Sequence, residues 1–449
     1  MATEIEVFQG NQIGGCVTVI TCTYRGKTSR IMIDYGSDLP GSGTEEEFVY
    51  PWAEKPVDAV LFTHYHGDHV GRILQIPENV PIYMGSAARQ VMVNIQSALS
   101  RLENEEATQH QRELALLENK KRVHTFRQTS NYYQAITAIP NFRIEPYCVD
   151  HSAYDAYMFL IEADDETAPT GKKVILHTGD FRDHGYRGQV LPSLIRAYIR
   201  KFGKRDVDIL ITEGTMMSRQ SETVMTEQEM QMTAADYLHE HKYAFLICSS
   251  TNLDSLASFY QAAQSASYPY GRYLYVYSNY VKTQLDTFSK FAGKFTSLYQ
   301  FKNVHTLDLN KQLTHKRWKA PKTQEELMRE RGFLAIIKPE DYCEEYIDAF
   351  LDCKPVIIYS MWDGYLNPKQ SGRNDKWIGF LKRQEAKGVE VKHLHTSGHA
   401  SVESLEKLIN AVDPKEAIYP IHTENPDGFR ELNIKEELKE RIRMCMNKQ

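Results

Sequence analysis

Long apolar runs are missing from this chain of 449 residues. Nothing approaches the roughly 20 consecutive apolar residues that span a bilayer, so no membrane partner is expected. The first ten residues carry Glu4 and Glu6 and no apolar block, which argues against a secretory signal. Cysteine is sparse. Cys16, Cys22, Cys148, Cys248, Cys343, Cys353 and Cys445 are odd in number, widely spaced and form no CxxC pair. That pattern disfavours a disulfide framework and reads as reduced thiols in a cytoplasmic protein. A basic excess is missing too: 53 Lys and Arg against 59 Asp and Glu give a net charge of −6. Wholesale nucleic-acid binding through a basic surface is therefore disfavoured. The sequence also lacks internal repeats and low-complexity segments. What remains is an ordinary globular composition, 42% hydrophobic and 25% charged, in a chain long enough for two domains.

The densest chemistry is Thr63-His64-Tyr65-His66-Gly67-Asp68-His69, with four potential ligands in six residues. The apolar, β-branched run 57–62 before it reads as a buried strand. The cluster then sits on the loop at that strand's end, where side chains can converge. Imidazole with carboxylate suits zinc, and also manganese or iron. A lone histidine pair would read as structural; four ligands in this order do not. Three more candidates follow strand-like runs: His151 after 142–148, Asp180 after 174–176, and His422 after a short strand near Ala417. Singly, each reads as a satisfied polar residue. Together with the dense cluster they complete two metal sites.

This set resembles the metallo-β-lactamase superfamily. The resemblance implies that His64, His66 and His151 hold one metal and Asp68, His69 and His422 the second, with Asp180 bridging them. Asp34, at the end of the strand 31–33, matches the acid of the superfamily's first motif and would orient the ligand loop from behind. Two divalent ions roughly 3.5–4 Å apart can share a hydroxide and stabilise attacking and leaving oxygens. Asp68 is also a candidate acceptor of the nucleophile's proton.

Along the chain, residues 1–213 alternate strands, turns and helices around the candidate ligands. The stretch 86–122 reads as helical, with Ala87, Val91, Met92, Ile95 and Leu99 at helical spacing. Its later, charged part reads as an exposed helical excursion. Residues 163–171 read as a hairpin loop. From 214 to 390, strands at 243–248, 273–278, 334–338 and 356–360 alternate with helices at 253–266, 281–292, 341–351 and 375–386. That alternation argues for a parallel sheet covered by helices. A further strand at 389–395 leads into residues 391–449, which complete the first domain. The α/β domain 214–390 is thus inserted, because His422 has to return to the metals.

An αββα metallo-β-lactamase sandwich with an α/β parallel-sheet insertion before the last ligand looks like the β-CASP family. Ile211-Thr212-Glu213-Gly214-Thr215 matches its motif A, with Glu213 as the acid. Thr396-Ser397-Gly398-His399-Ala400-Ser401 matches motif B through His399, and His422 matches motif C. Family members cut nucleic-acid phosphodiesters with two zinc ions, and the same ligands accept manganese. The resemblance gives His399 the scissile phosphate or the leaving oxygen, and gives Glu213 the task of orienting His399. Without it, Glu213 reads as a strand-end acid and His399 as the start of a helix at 402–412. Backbone N–H groups at such a start welcome phosphate, so Ser397, Gly398, Ala400 and Ser401 are candidate phosphate contacts. Within the family a histidine at motif C goes with RNA and an aliphatic residue with DNA.

The pattern is similar to ribonuclease J without that family's C-terminal domain. It departs at Ser255, where an Arg is often found, and in the loop Ser360-Met361-Trp362-Asp363-Gly364-Tyr365. A basic stretch at 302–322 holds Lys302, Lys311, Lys316, Arg317, Lys319 and Lys322, with His305, His315 and Trp318 interleaved. It suits a single-stranded nucleic acid, or reads equally as a solvated loop. The expectation is a metal-dependent ribonuclease acting on single-stranded RNA. The alternatives are a hydrolase of small esters, lactones or thioesters, a DNA-processing β-CASP nuclease, and an inactive scaffold.

Overall fold

A computed structural model describes residues 3–445 apart from 40–47, 103–104, 127–133, 192–194, 196–205, 221, 223, 266–272, 315–317 and 370–372. Contacts divide the chain into two compact units, Met1–Val224 with Gly398–Gln449, and Met225–Ser397.

The first unit holds two sheets. One contains β1 (Thr3–Phe8), β2 (Val17–Tyr24), β3 (Lys27–Ile33), β4 (Ala59–Leu61), β5 (Ile82–Gly85) and β6 (Val123–Phe126), in that spatial order. The other contains β7 (Phe142–Val149), β8 (Ala156–Asp164), β9 (Lys172–His177), β10 (Ile209–Glu213) and β19 (Ala417–Ile421), in the order β19-β10-β9-β8-β7. Strand periodicity explains the packing. On β8, Tyr157, Phe159, Ile161 and Ala163 join Ile20, Ile31, Ile33 and Leu61 of the first sheet in one core. The alternate residues Ala156, Met158 and Leu160 pack on the outer side with Leu405, Leu408 and Ile409 of the helix Val402–Val412. The helix Ser86–Leu99 lies beside β5 and β6. The result is an αββα sandwich. Each buried Phe or Ile in it contributes about 1.5–3 kcal/mol.

The second unit holds an all-parallel sheet of β11 (Tyr243–Cys248), β12 (Leu274–Val276), β13 (Val304–Thr306), β16 (Phe333–Ile337), β17 (Val356–Ser360) and β18 (Glu390–His393). A two-stranded hairpin of β14 (Gln312–Leu313) and β15 (Lys322–Thr323) accompanies it. The spatial order is β13-β12-β16-β11-β17-β18. β16 and β17 are buried along their whole length, the burial a parallel sheet covered on both faces requires.

Three readings shift. The charged helix Ala107–Glu118 is exposed along much of its length but buries Glu113, Leu116 and Leu117 on one side. The first boundary moves from 213/214 past the turn Thr215–Ser218, because Met217 packs in the outer core of the sandwich. The second moves from 390/391 to 397/398, because β18 pairs with β17. β13 and the helices Glu227–Glu240 and Gln324–Arg331 were not expected. Both helices open with a Thr-x-x-Glu capping box, at Thr226/Glu229 and Thr323/Glu326, a signal readable in the sequence. In the basic stretch, His315, Lys316 and Arg317 lie outside the described residues, and Lys322 pairs with Glu330. No helix among the described residues is long and apolar enough to cross a membrane.

Candidate metal centre

Six strands of the first unit deliver candidate side chains at or shortly past their last residue. β3 leads to Asp34, β4 to His64, His66, Asp68 and His69, β7 to His151, β9 to Asp180, and β19 to His422, while β10 ends on Glu213. Two of the strand ends need unusual backbone. Asp34 and His422 are non-glycine residues in the left-handed region, at φ 60° and 50°. Such conformations cost of order 1–3 kcal/mol and persist only where the surroundings hold them. Gly36 allows the closest approach: a Cβ there would lie 1.6 Å from the Asp68 carbonyl oxygen.

Asp34 accepts from the Thr63 backbone N–H at 2.8 Å and the Thr63 hydroxyl at 2.7 Å, and meets His69 Nδ1 at 2.9 Å. It therefore sets both the ligand loop and the His69 ring, leaving His69 Nε2 to face inward. His151 Nδ1 donates to the Gly398 carbonyl at 2.6 Å. His422 Nδ1 meets the Thr215 hydroxyl at 2.9 Å, and its Nε2 lies 3.2 Å from Asp68.

The inward atoms fall into groups whose members all lie within 4.8 Å of one another: His64, His66 and His151; Asp68, His69 and His422; and His64, His69 and Asp180. Asp180, Glu213, His399 and His422 form a fourth. Asp180 reaches towards both triads, 3.1 Å from His69 Nε2 and 3.9 Å from His64 Nε2. His64 Nε2, His69 Nε2 and Asp180 Oδ2 are buried without a properly formed hydrogen bond among the described residues. Buried polar atoms are rarely left so. Imidazole nitrogens and a carboxylate facing one another fit divalent cations.

The protonation states point the same way. Burial, then the neighbouring imidazoles, holds His64 and His151 well below the usual range, and burial pushes His66 down to about 4. Burial works against the charged form of Asp68 and Asp180, yet the surrounding histidines keep both ionised. Neutral imidazole and ionised carboxylate are the forms that coordinate. His69 differs: against burial, Asp180, Asp68 and Asp34 raise it well above its ordinary value.

Beside these groups stands a second pair. His399 Nδ1 lies 3.2 Å from Glu213 Oε2, with the His399 side chain 21% exposed and Glu213 fully buried. Burial disfavours the imidazolium, but the Glu213 carboxylate outweighs it and the His399 pKa is raised. Glu213 accepts from the backbone N–H groups of Phe181 at 3.1 Å, Ala400 at 3.3 Å and Thr215 at 3.2 Å. Of the candidate phosphate contacts, the Gly398 carbonyl is engaged by His151 and the Ala400 N–H by Glu213. The Ser401 side chain caps the helix Val402–Val412. Ser397 closes the second unit.

Sequence reasoning missed the brace behind two of these loops. Asp150 and Arg182 have fully buried side chains 3.1 Å apart, and Asp150 also accepts from the Arg187 N–H at 3.0 Å. Asp150 precedes His151 directly, and Arg182 lies two residues after Asp180. Their positions in Val149-Asp150-His151 and Asp180-Phe181-Arg182 were the available signal.

The sandwich and its side chains define a metallo-β-lactamase fold built for metal-dependent hydrolysis. Residues 16–84 match the metallo-β-lactamase superfamily, and residues 388–445 match the Zn-dependent metallo-hydrolase RNA specificity domain. The first segment contains Asp34, His64, His66, Asp68 and His69, and the second His399 and His422. The chain thus carries a metallo-β-lactamase domain together with an RNA-specificity domain of the zinc-dependent metallo-hydrolases. Among solved structures it is similar to a protein of unknown function from Enterococcus faecalis V583, at 18% identity over 95% of both chains with a TM-score of 0.63. A subclass B3 metallo-β-lactamase from a soil metagenome library, MEM-A1, matches at 13% identity over 47% of this chain and 75% of its own, with a TM-score of 0.27. No curated protein matches the chain.

Proposed function

We propose that this chain is a two-metal ribonuclease of the β-CASP type. His64, His66 and His151 would hold one ion and Asp68, His69 and His422 the other, with the Asp180 carboxylate facing both groups. Bound zinc or manganese would supply Lewis-acid polarisation and an activated water at neutral pH. The observation that carries the reading is the His399–Glu213 pair, which stands next to the two triads and groups with Asp180 and His422. The RNA-specificity match across the same segment supports it, as does the insertion of residues 225–397 ahead of His422.

The residues then divide the work. Asp34 fixes His69 and the ligand loop. Glu213 accepts from His399 Nδ1 and favours the imidazolium, whose Nε2–H can then pass to the leaving oxygen. General acid catalysis of this kind contributes about 10²–10⁴-fold.

The test is His399→Ala. Metal content should stay at two ions per chain while cleavage of an end-labelled single-stranded RNA falls about 10²-fold or more. Loss of metal with activity would make His399 a ligand and break the assignment of His422. Unchanged cleavage would leave His399 as a helix-start residue. Faster hydrolysis of a small ester than of any RNA would favour the small-substrate alternative.

A further inference from the structure

The second unit contains a cavity that shares no residue with the metal centre. In its sheet, β12 leads outward to the edge strand β13 through the helix Asn279–Phe291. Its neighbour β16 leads the other way, past β11 to β17, through the helix Asp341–Asp348. Parallel crossovers are right-handed, so connections running in opposite directions put their helices on opposite faces of the sheet. A crevice opens between such strands at their carboxyl ends, and ligands of open α/β sheets bind there. In this sheet the connections diverge in this way between β12 and β16, and again between β11 and β17; the cavity lies at the first of these crevices.

A cavity of about 610 Å³ occupies this place, lined among others by Asn279, Thr306, Asp308, Lys311, Glu345 and Tyr346. The volume is within the roughly 300–1,000 Å³ of small-molecule sites. The lining comes from the residues after β12, the loop after β13 and the helix after β16.

The wall is pre-formed. Gln324, 1% exposed, donates through its side-chain amide to the Thr306 carbonyl at 3.0 Å and accepts from the Asp308 N–H at 2.9 Å. Its own N–H donates to the Lys311 carbonyl at 2.9 Å, and the Glu325 N–H donates to the Leu309 carbonyl at 3.1 Å. Four bonds thus hold a six-residue loop whose side chains Asp308 and Lys311 remain solvent-accessible. Holding polar groups ready costs less ordering when a ligand arrives.

The chemistry of the lining is mixed in a specific way. One ammonium, on Lys311, suits a phosphate. Two carboxylates, on Asp308 and Glu345, suit vicinal hydroxyls, as a strand-end acid does for ribose in dinucleotide sites. Tyr346 is half-buried and offers a ring face for stacking. Both acids lie close enough to its hydroxyl to add to the effect of burial in raising its pKa.

We propose that this cavity is a ribonucleotide site, with Lys311 on the phosphate, Asp308 and Glu345 on the ribose hydroxyls and Tyr346 under the base. The nucleotide can be free or part of a strand, and the same contacts serve both. The proposal stands whether or not the metal centre cleaves RNA, since occupancy is read by binding.

The experiment uses the full chain carrying Asp68→Ala, so that no substrate is consumed. Binding of the four ribonucleoside monophosphates, their 2′-deoxy counterparts and a short oligouridylate is measured by calorimetry. Lys311→Ala and Asp308→Asn are then added singly. Both positions are exposed, so both variants should fold, and circular dichroism checks that they do. Saturable monophosphate binding that weakens about tenfold or more in each variant supports the site with a free nucleotide as ligand. Binding seen only with the oligonucleotide, and weakened by the same variants, supports it as a strand-binding site. Binding unaffected by either variant, no binding of any probe, or equal affinity for the 2′-deoxy nucleotides overturns the proposal.

Discussion

Glu213→Gln changes one oxygen to an NH₂ group, and its surroundings determine the cost. Oε1 accepts from the Phe181 and Ala400 N–H groups, and Oε2 faces the Thr215 N–H and His399 Nδ1. The glutamine oxygen can keep the first pair. Its NH₂ then opposes the Thr215 N–H, a buried donor against a donor. Losing a charge-assisted bond costs about 1.5–3 kcal/mol, and an orphaned buried donor about 1–3 kcal/mol. With partial relaxation, the expected destabilisation is about 2–4 kcal/mol. His399 loses its carboxylate as well, so turnover should fall, though less than in His399→Ala, which removes the acid itself. The measurements are urea unfolding and RNA cleavage, both on metal-replete protein with metal content checked. Wild-type stability would show that the three N–H groups are satisfied without the carboxylate. Wild-type turnover together with lost stability would make Glu213 purely a structural brace and remove its role in orienting His399.

Asp68→Ala and His66→Ala should each abolish RNA hydrolysis and lower metal content while leaving far-UV circular dichroism unchanged, since the loop carries little core packing. Asp155 accepts from the Ala87 and Ala88 N–H groups and the Tyr157 hydroxyl at 2.7, 3.0 and 2.5 Å, so it caps the helix Ser86–Leu99 from the turn before β8. Asp155→Ala should therefore cost about 2–4 kcal/mol in urea unfolding, a cap plus a buried orphan. Arg182→Met strips a buried partner from Asp150 and should cost about 3 kcal/mol, the low end for a broken buried pair, because Arg187 still contributes. Adding Asp150→Leu should restore part of that loss, and no recovery would show that the pair is not coupled.

Candidate ligands were legible because metal chemistry concentrates rare side chains at strand ends. His64, His66, Asp68 and His69 announce themselves by density. His151, Asp180 and His422 each follow an apolar run long enough to read as a strand. The αββα sandwich and the parallel sheet were legible for a related reason: strands buried on both faces leave near-continuous apolar runs. The edge strand β13, three residues long and only partly buried, shows no period and was missed. The helix Ala107–Glu118 misled because its charge count hides the adjacent Leu116 and Leu117, which turn inward.

What stayed hidden is the apparatus that holds the centre rather than lines it. The three N–H groups on Glu213 come from positions 181, 215 and 400, and the Thr215–His422 contact joins residues 207 apart. No local pattern encodes such pairs. Gly36 illustrates the point. In the sequence it is a turn glycine after a strand; in the fold it is the one residue type that lets this turn lie against the Asp68 backbone. The left-handed backbone at Asp34 and His422 goes further: it costs energy at any non-glycine residue, although Asp and His tolerate it better than most. Each turns at the end of a buried strand, and the turn directs its side chain to the centre. The surrounding strands hold that turn in place, and the sequence signals it only weakly, through residue types that tolerate it.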